Sequence, residues 1–441
     1  MEAVKKRLNK DSLQCYPSYK DSGVEWLGEI PEHWKLTRLG TRFKERRTKV
    51  SDKDYPALSV TKNGVVPQLS NAAKTNDGDN RKLVKEGDFV INSRSDRKGS
   101  SGIALQNGSV SLINIVIKPI DIHPIYCNYL LKSYGFVEEF YRMGHGIVAD
   151  LWTTRYDEMK AILVGIPPLQ EQTAIATFLD DKTQKIEEAI TIKEQQIALL
   201  KERKQILIHK VVTRGLDDSV PLKDSGVDWI GKIPEHWNCI KFKFIIRTKA
   251  RLGWKGLKAS EYVDKSDYGF LSTPNIKGKK IDFNQAYYIT KRRYLESPEI
   301  MLQLGDVLLV KDGSTLGISN IVVELPIKCT VNSSIAVLRV MNNVSLMPEY
   351  LNFFLKSQTC QRIIEKKKDG MGVPHLFQSD INNFSIPVFS MQEQKKITGH
   401  IEDKTNKIDQ VISLKQEEIE KLKEYKSSLI NSVVTGKVKV C

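Results

Sequence analysis

The chain of 441 residues contains two different segments, and each of them occurs twice. Lys20–Trp34 and Lys223–Trp237 are identical at 12 of 15 positions, and residues 170–213 and 392–435 are identical at 21 of 44. The segments therefore follow one another in the order A-B-A′-B′. Two tandem half-molecules predict pseudo-two-fold symmetry, and a symmetric reader suits a target that has two half-sites.

Positive charge is concentrated in the A segments. The net charge is +15 for the whole chain and +6 for each of residues 1–165 and 217–386, against +1 and +2 for residues 166–216 and 387–441. This distribution predicts that the A segments face a polyanion. The six cysteines are scattered without a CxxC pair, and no apolar run approaches the ~20 residues that span a bilayer. We therefore expect a cytoplasmic protein with reduced thiols.

The B segments read as two long helices with a heptad seam, because apolar residues recur at alternating steps of four and three. Both seams contain three lysines at equivalent positions, 182, 193 and 204 and then 404, 415 and 426. Gly215 and Gly436 follow the two helices, as helix stops do. The aliphatic seam residues are Ile175, Leu179, Ile186, Ile190, Ile197, Leu200, Leu207, Val211, Ile397, Ile401, Ile408, Ile412, Ile419, Leu422, Leu429 and Val433.

Each apolar stripe needs a partner, and the other copy can supply it. We predict one intramolecular, antiparallel coiled coil. The alternatives are that each helix packs on its own domain or pairs with another molecule. The seam lysines fit control of register or orientation, but they could equally extend past the seam into water.

The A segments read as α+β domains with irregular sheets. Short β-branched runs predict strands at Phe89–Asn92, Val110–Ile117, Val307–Val310, Ile318–Val323 and Ile335–Val340. Helices are expected over Pro124–Tyr141 and Pro348–Lys367. A Gly-Asp pair precedes one strand in each A segment, and a polar, glycine-containing loop follows that strand. Between such shared features the two segments differ strongly, which is expected if one architecture contacts two different targets.

Each A segment opens with a stretch that ends in Ile-Pro-Glu-His-Trp. We interpret Trp26, Trp34, Trp229 and Trp237 as residues that pack the opening loop onto a core, and His33 and His236 as structural residues. The alternative for the tryptophans is stacking on nucleobases. The sequence contains no methyltransferase Asn/Asp-Pro-Pro-Tyr/Phe motif, phosphate-binding loop, GxGxxG after a strand, HExxH or clustered Cys/His. We therefore predict a non-catalytic chain, with no catalytic residues and no metal site, whose partners supply the chemistry.

Taken together, these motifs resemble the specificity subunits of type I restriction–modification systems. The resemblance rests on the GV(E/D)W(L/I)G(E/K)IPEHW openings, the Gly-Asp strands, and the Ile-Pro followed by Gln-Glu-Gln at residues 166–172 and 386–394. The DKT…KI…LK stretches that begin at Asp181 and Asp403 add to it. The resemblance covers nearly the whole chain and extends to the order of its segments.

The resemblance implies two target recognition domains, residues 1–165 and 217–386, and two helical regions, residues 166–216 and 387–441. Each domain would read one half of a bipartite site in double-stranded DNA. The coiled coil would set the spacing and dock two modification (methyltransferase) subunits, and restriction (translocase/nuclease) subunits would join them. The partners would use S-adenosylmethionine, ATP and Mg²⁺. A methylation-only complex or another bipartite system fits equally, and a coiled-coil protein-binding scaffold and a nucleic-acid enzyme with an unrecognised active site are further alternatives.

Phosphate contacts call for basic clusters, and base readout calls for Arg, Lys, Asn, Gln or Ser on loops. We expect the strongest contribution from the loops that follow the Gly-Asp strands, Ser93–Lys98 and Lys311–Ser314, because position and polarity repeat there. The predicted DNA-contacting residues are Arg46, Arg47, Lys49, Lys62, Asn63, Arg94, Arg97, Lys98, Lys249, Arg251, Lys255, Lys258, Lys277, Lys279, Lys280, Arg292, Arg293, Lys311 and Ser314.

Overall fold

The computed structural model describes residues 14–70, 78–146, 152–251, 256–366 and 374–440. They form two compact units. Unit 1 comprises the described residues up to Lys193 together with those from Gln416 onward, and unit 2 comprises those from Glu194 to Lys415. Each unit therefore contains one sheet-rich domain and a part of both long helices. The predicted division into four segments follows the chain, whereas these units follow packing.

Unit 1 contains thirteen strands and three short helices among its described residues. The strands are β1 Tyr19–Asp21, β2 Glu29–Pro31, β3 Lys35–Arg38, β4 Phe43–Glu45, β5 Lys49–Val50, β6 Leu58–Thr61, β7 Gly64–Pro67, β8 Arg81–Val84, β9 Phe89–Asn92, β10 Ser101–Ile103, β11 Gly108–Val110, β12 Asn114–Pro119 and β13 Leu163–Ile166. The helices are α1 Pro124–Lys132, α2 Tyr134–Arg142 and α3 Tyr156–Met159, and the long helix α4 follows at Leu169–Arg214.

Unit 2 repeats this plan with variations. Its strands are β14 Leu222–Asp224, β15 Lys232–Pro234, β16 Asn238–Lys241, β17 Ile246–Ala250, β18 Tyr268–Leu271, β19 Tyr287–Tyr288, β20 Val307–Val310, β21 Ser319–Ile321, β22 Lys328–Val331, β23 Ile335–Val340 and β24 Ser385–Val388. Its helices are α5 Thr273–Ile276, α6 Lys291–Leu295, α7 Pro348–Lys356, α8 Gln358–Lys366 and α9 Gln378–Asn382, followed by the second long helix, α10 Met391–Val434.

A four-stranded antiparallel sheet forms the centre of each domain. The strand order is β10-β9-β12-β4 in unit 1 and β21-β20-β23-β17 in unit 2, so the two sheets have the same topology. The residues of β9 and β20 are buried along their whole length, which explains why these strands are continuous apolar or near-apolar runs rather than alternating ones. Three predicted strands, Phe89–Asn92, Val307–Val310 and Ile335–Val340, are confirmed at their full length.

Four predicted elements, two strands and two helices, differ from the structure for local reasons. The predicted strand Val110–Ile117 is two strands, β11 and β12, because Asn114 folds back and donates both its backbone N–H and its side-chain Nδ2 to Ser111 O. Each predicted helix of the A segments is likewise two helices. Ser133 and Ser357 adopt extended backbone conformations and cap the second helix of each pair, with Oγ accepting from the N–H of Phe136 or Cys360. The predicted strand Ile318–Val323 is confirmed only for Ser319–Ile321.

The Gln-Glu-Gln stretch at the start of each long helix joins that helix to its domain. In unit 1, Glu171 accepts hydrogen bonds from Trp34 Nε1 (3.0 Å) and the Tyr16 hydroxyl, and its other oxygen lies 2.8 Å from His33 Nε2. In unit 2, Glu393 contacts Trp237 Nε1 at 3.1 Å and His236 Nε2 at 3.0 Å. Trp34 and Trp237 are completely buried. The packing role predicted for these tryptophans, and the structural role predicted for the histidines, are confirmed.

The two long helices pair as an antiparallel coiled coil. In unit 1, Lys193 Nζ lies 2.6 Å from Glu418 and Lys426 Nζ lies 2.6 Å from Glu187. In unit 2, the corresponding contacts are Lys204 to Asp409 (2.8 Å) and Lys415 to Gln196 (2.6 Å). In both units a rising residue number on α4 is matched by a falling number on α10. Four of the six seam lysines therefore bond across the pair, as expected for residues that fix register.

The seam follows the predicted stripe with two exceptions. Of the sixteen aliphatic positions, Leu200, Leu207, Ile408, Ile412 and Leu422 are partly buried and the others are buried. Lys182 and Lys404 do not occupy the interior; the neighbouring Thr183 and Thr405 are buried instead. In unit 1, the Tyr129 hydroxyl lies 3.0 Å from Thr183 Oγ1, so the domain covers this part of the helix and a threonine fits where a lysine would leave its charge unpaired.

Candidate nucleic-acid interface

The loop after β9 has a fixed backbone and exposed cationic side chains. Ser95 N–H donates to Trp152 O (2.9 Å), Thr154 N–H donates to Ser93 O (3.0 Å), and Arg94 N–H donates to Asn92 Oδ1 (3.1 Å). The side chains of Arg94 and Arg97 are 41% and 70% exposed, and Asp96 is within 4 Å of both. Such exposed ion pairs are weak, so both guanidinium groups remain free to bind another acceptor.

The loop after β20 is held in the same way but carries different chemistry. Gly313 N–H donates to Pro374 O (3.0 Å), and Leu376 N–H donates to Lys311 O (2.8 Å). Asp312 accepts from Lys311 Nζ at 2.8 Å and contacts His375 Nδ1 through its other oxygen. Ser314 is exposed. His375 was not among the predicted residues, although the segment before the last short helix is pinned to this loop in both units.

The predicted residues that lie at the surface are distributed over several loops. Lys49 is exposed on β5, and Lys62 and Asn63 form the tip between β6 and β7. Lys98 pairs with Glu138 at 2.6 Å, and Arg47 pairs with Glu45. In unit 2, Lys249, Lys258, Lys277, Lys279, Lys280 and Arg292 are exposed. Lys255 lies outside the described residues.

Three predicted contact residues have structural roles instead. Arg251 is buried and donates to Val331 O, Ser297 Oγ and Thr330 Oγ1. Arg293 is largely covered and bonds Glu261, Glu296 and Gly256 O. Arg46 donates Nε and Nη2 to the two oxygens of Asp88. A basic residue in a sequence does not reveal whether the fold will supply it with an internal acceptor, which is why these three were assigned to DNA.

The aspartate of each Gly-Asp pair holds an arginine inside its domain. Asp88 accepts from Arg46 and from Lys85 N–H (2.8 Å), while Asp306 accepts from Arg339 Nε and Nη2 (both 2.7 Å) and from Gln303 N–H (2.7 Å). Both carboxylates are almost fully buried, and the pairing raises the pKa of Arg46 and Arg339. This carboxylate role explains the repeated Gly-Asp and was missed because the two arginines are at unrelated sequence positions.

No group of three or more His, Cys, Asp or Glu side chains suited to a metal ion occurs in the described ranges. Within the same ranges, no helix combines the length and the apolar character needed to cross a membrane. The candidate interface of each unit is a loop whose backbone is held by hydrogen bonds, after β9 in unit 1 and after β20 in unit 2.

The sequence of this chain is similar to those of known proteins. Residues 253–424 match the type I restriction modification DNA specificity domain. The chain is 24% identical over 429 residues to the type I restriction enzyme MjaVIII specificity subunit of Methanocaldococcus jannaschii, covering 93% of this chain and 94% of that protein. The EcoBI specificity subunit of Escherichia coli is 25% identical over 245 residues, 54% of this chain and 51% of that one. Residues 253–424 thus carry a type I restriction modification DNA specificity domain, and the chain as a whole resembles type I restriction enzyme specificity subunits.

Solved structures agree on the fold. A chain from a study of assembly and conformational transition of the type I R-M system superposes with a TM-score of 0.68 at 16% identity, covering 92% of this chain and 98% of that chain. The HsdS subunit of Thermoanaerobacter tengcongensis gives a TM-score of 0.51, also at 16% identity and with the same coverage. Specificity subunits as a family are non-catalytic, which is consistent with the lack of catalytic motifs in the sequence.

Proposed function

We propose that this specificity subunit reads a bipartite DNA sequence, with one domain on each half-site. The observation that carries the proposal is the pair of loops after β9 and β20. Each loop has a backbone fixed by hydrogen bonds, so its side chains are presented without a large ordering cost. Arg94 and Arg97 in one unit are replaced by Lys311, Asp312 and Ser314 in the other, so the two domains would read different bases.

The coiled coil would set the distance between the half-sites and dock two modification subunits. Support for docking comes from apolar side chains that the coiled coil leaves in water. In unit 2, Leu199 and Ile206 are seven residues apart and 64% and 54% exposed, and Val411 and Leu414 are exposed on the other helix. Exposed aliphatic residues at heptad spacing are suited to packing against further helices.

Restriction subunits would complete the complex, and S-adenosylmethionine, ATP and Mg²⁺ would be used by the partner subunits. The specificity subunit itself would act in the cytoplasm by positioning the partners on DNA. In this proposal its direct role is recognition, and the partner subunits supply the chemistry.

The test is genome-wide sequencing of methylated adenine in the host, with and without the gene for this chain. A split motif that disappears on deletion establishes a bipartite reader and gives both half-sites. An unchanged methylome, with the partner genes intact and expressed, contradicts the proposal.

A further inference from the structure

Unit 2 contains a lysine-rich groove that is separate from the loop after β20, Lys311–Ser314. It has a volume of about 830 Å³ and lies between the α4 and α10 segments of this unit and its sheet-rich domain. Its walls include the apolar side chains of Ile208, Ile321 and Phe353, and its cations are Lys204, Lys277, Lys279, Lys280 and Lys356. Five lysines therefore line the groove together with two acidic residues, Glu402 and Asp409.

Lys356 is a half-buried lysine in the wall of this groove. It is the last residue of α7, and burial together with the charge of Lys204 lowers its pKa to about 8. Among the described residues its ammonium group has no hydrogen bond and no ion pair. Lys204 is already committed to Asp409, which also binds Lys279 at 3.0 Å. A half-buried cation without a counter-ion is costly unless an anion arrives.

The loop that carries Lys277 and Lys280 is held in place by hydrogen bonds. Asn320 is buried and its Nδ2 donates to Ile276 O (3.3 Å) and Gly278 O (3.0 Å), which anchors the loop that carries Lys277 and Lys280. Neither of these two lysines has an ion pair within the described part of the chain. The loop therefore presents two cations without an ion pair to the same groove as Lys356.

Unit 1 shows that the free cation is not required by the architecture. Lys132 ends α1 as Lys356 ends α7, and it also has a pKa lowered by burial and by a nearby lysine, Lys426. Its Nζ, however, donates to Lys62 O at 3.2 Å. The first domain satisfies this lysine internally, whereas the second domain leaves the equivalent lysine available.

We infer that this groove binds a phosphate group through Lys356, Lys277 and Lys280. Phosphate offers several acceptor oxygens around one charge, which suits three separate point-charge donors. The groove is open to solvent, and Lys277 and Lys280 are among the predicted DNA-contacting residues. A phosphate of a DNA backbone is therefore the favoured source. With that source the inference rests on the proposed function and adds a contact that is independent of sequence.

The experiment uses the purified full chain and maps which lysines are protected from acetylation, by mass spectrometry, in the presence of a duplex of about 40 base pairs or of inorganic pyrophosphate. Protection of Lys356 by the duplex supports the inference with DNA as the source. Protection by pyrophosphate alone supports it with a free phosphate compound as the source. Protection by neither overturns it, as does protection that requires added modification subunits without DNA.

Binding measurements give an independent readout. They use three separate variants, so the test remains possible if one of them fails to fold. Lys277→Gln and Lys280→Gln, on the exposed loop, and Lys356→Gln should each lower the salt dependence of duplex binding by about one counterion and weaken cognate and scrambled duplexes equally. Lys201→Gln, on the exposed helix surface, is the control that should leave the slope unchanged. If the wild-type chain does not distinguish the two duplexes, the proposed function fails, and protection of Lys356 is still decided separately.

Discussion

The two recognition domains share a frame but differ in how they use individual charges. Both hold a buried aspartate–arginine pair at the same strand, yet Arg46 follows β4 in one domain and Arg339 lies on β23 in the other. Both anchor the long helix through a glutamate, and both end their first longer helix with a lysine. The comparison teaches that the frame specifies a position for each charge, while the residue that satisfies it can come from different places in the chain.

The aspartate–arginine pairs should give the largest effect. Asp306→Ala leaves the partly buried Arg339 without its carboxylate and should destabilise unit 2 by about 3–5 kcal/mol. Asp88→Ala should do the same in unit 1. Urea unfolding followed by hydrogen exchange assigns the loss to a unit. A loss of less than about 1 kcal/mol in either variant would show that the pair behaves as a surface ion pair and that the shared frame does not depend on it.

The glutamates at the starts of the two long helices should differ in how much they stabilise their units. Glu171→Gln removes the charge from an acceptor of three side chains, and we expect a loss of about 2 kcal/mol. Glu393→Gln affects two side-chain contacts at a more exposed site and should cost less. Tryptophan fluorescence during unfolding reports on Trp34 and Trp237. Equal losses would mean that the Tyr16 contact contributes nothing.

The reading loops should separate the domains by function. Arg94→Ala or Arg97→Ala should weaken specific binding by about 1–3 kcal/mol and relax specificity in one half-site only. Lys201→Ala, on the exposed helix surface, serves as the control. Binding is measured at fixed salt with duplexes altered in one half-site at a time. Equal losses for the loop and helix variants would contradict the assignment of this loop to base reading.

The pH dependence of stability should distinguish the two helix-terminal lysines. Because the pKa of Lys356 is about 8 in the fold and its ordinary value is higher, the unfolded chain binds more protons between these values, and stability rises with pH in that window. The rise should be on the order of 1 kcal/mol, since solvent reaches part of the side chain. Lys356→Met should reduce it, and denaturation between pH 8 and pH 10 measures it. An undiminished rise in the variant would show that it comes from other groups, such as Lys132, whose pKa is also lowered by burial.

The lysine contacts across the coiled coil should have the smallest effect. Lys204→Met and Lys426→Met each remove one partly exposed pair, and a change of about 0.2–1 kcal/mol in stability is expected. Lys204→Met should have the smaller effect of the two on stability. Asp409 also binds Lys279, so Lys204→Met leaves the carboxylate a partner. A larger loss for Lys204→Met than for Lys426→Met would contradict this account.

The sequence predicted the parts that depend on periodicity and repetition. The long helices, their seam and the buried central strands follow from local patterns that the fold does not override. The break at Ser133 was missed because a capping serine inside an apolar helical pattern resembles an ordinary polar position. The structural roles of Arg46 and Arg251 depend on acceptors that are distant in sequence, such as Asp88 for Arg46. Arg293 combines a near partner, Glu296, with the distant Glu261. The base-reading residues remain predictions, since reading is decided by the target as well as by the loop.

Unit 1 is assembled from both ends of the described chain, and this has a consequence for the order in which the protein matures. Lys439 N–H donates to Gln14 O at 2.7 Å, and Gly436 follows α10 where any larger residue would collide with Pro31. During synthesis, residues 14–193 of unit 1 emerge before residues 416–440, which complete its packing, whereas unit 2 is made from one continuous stretch. A ribosome that stalls soon after residue 415 would therefore release a chain whose second unit can fold and whose first unit cannot close.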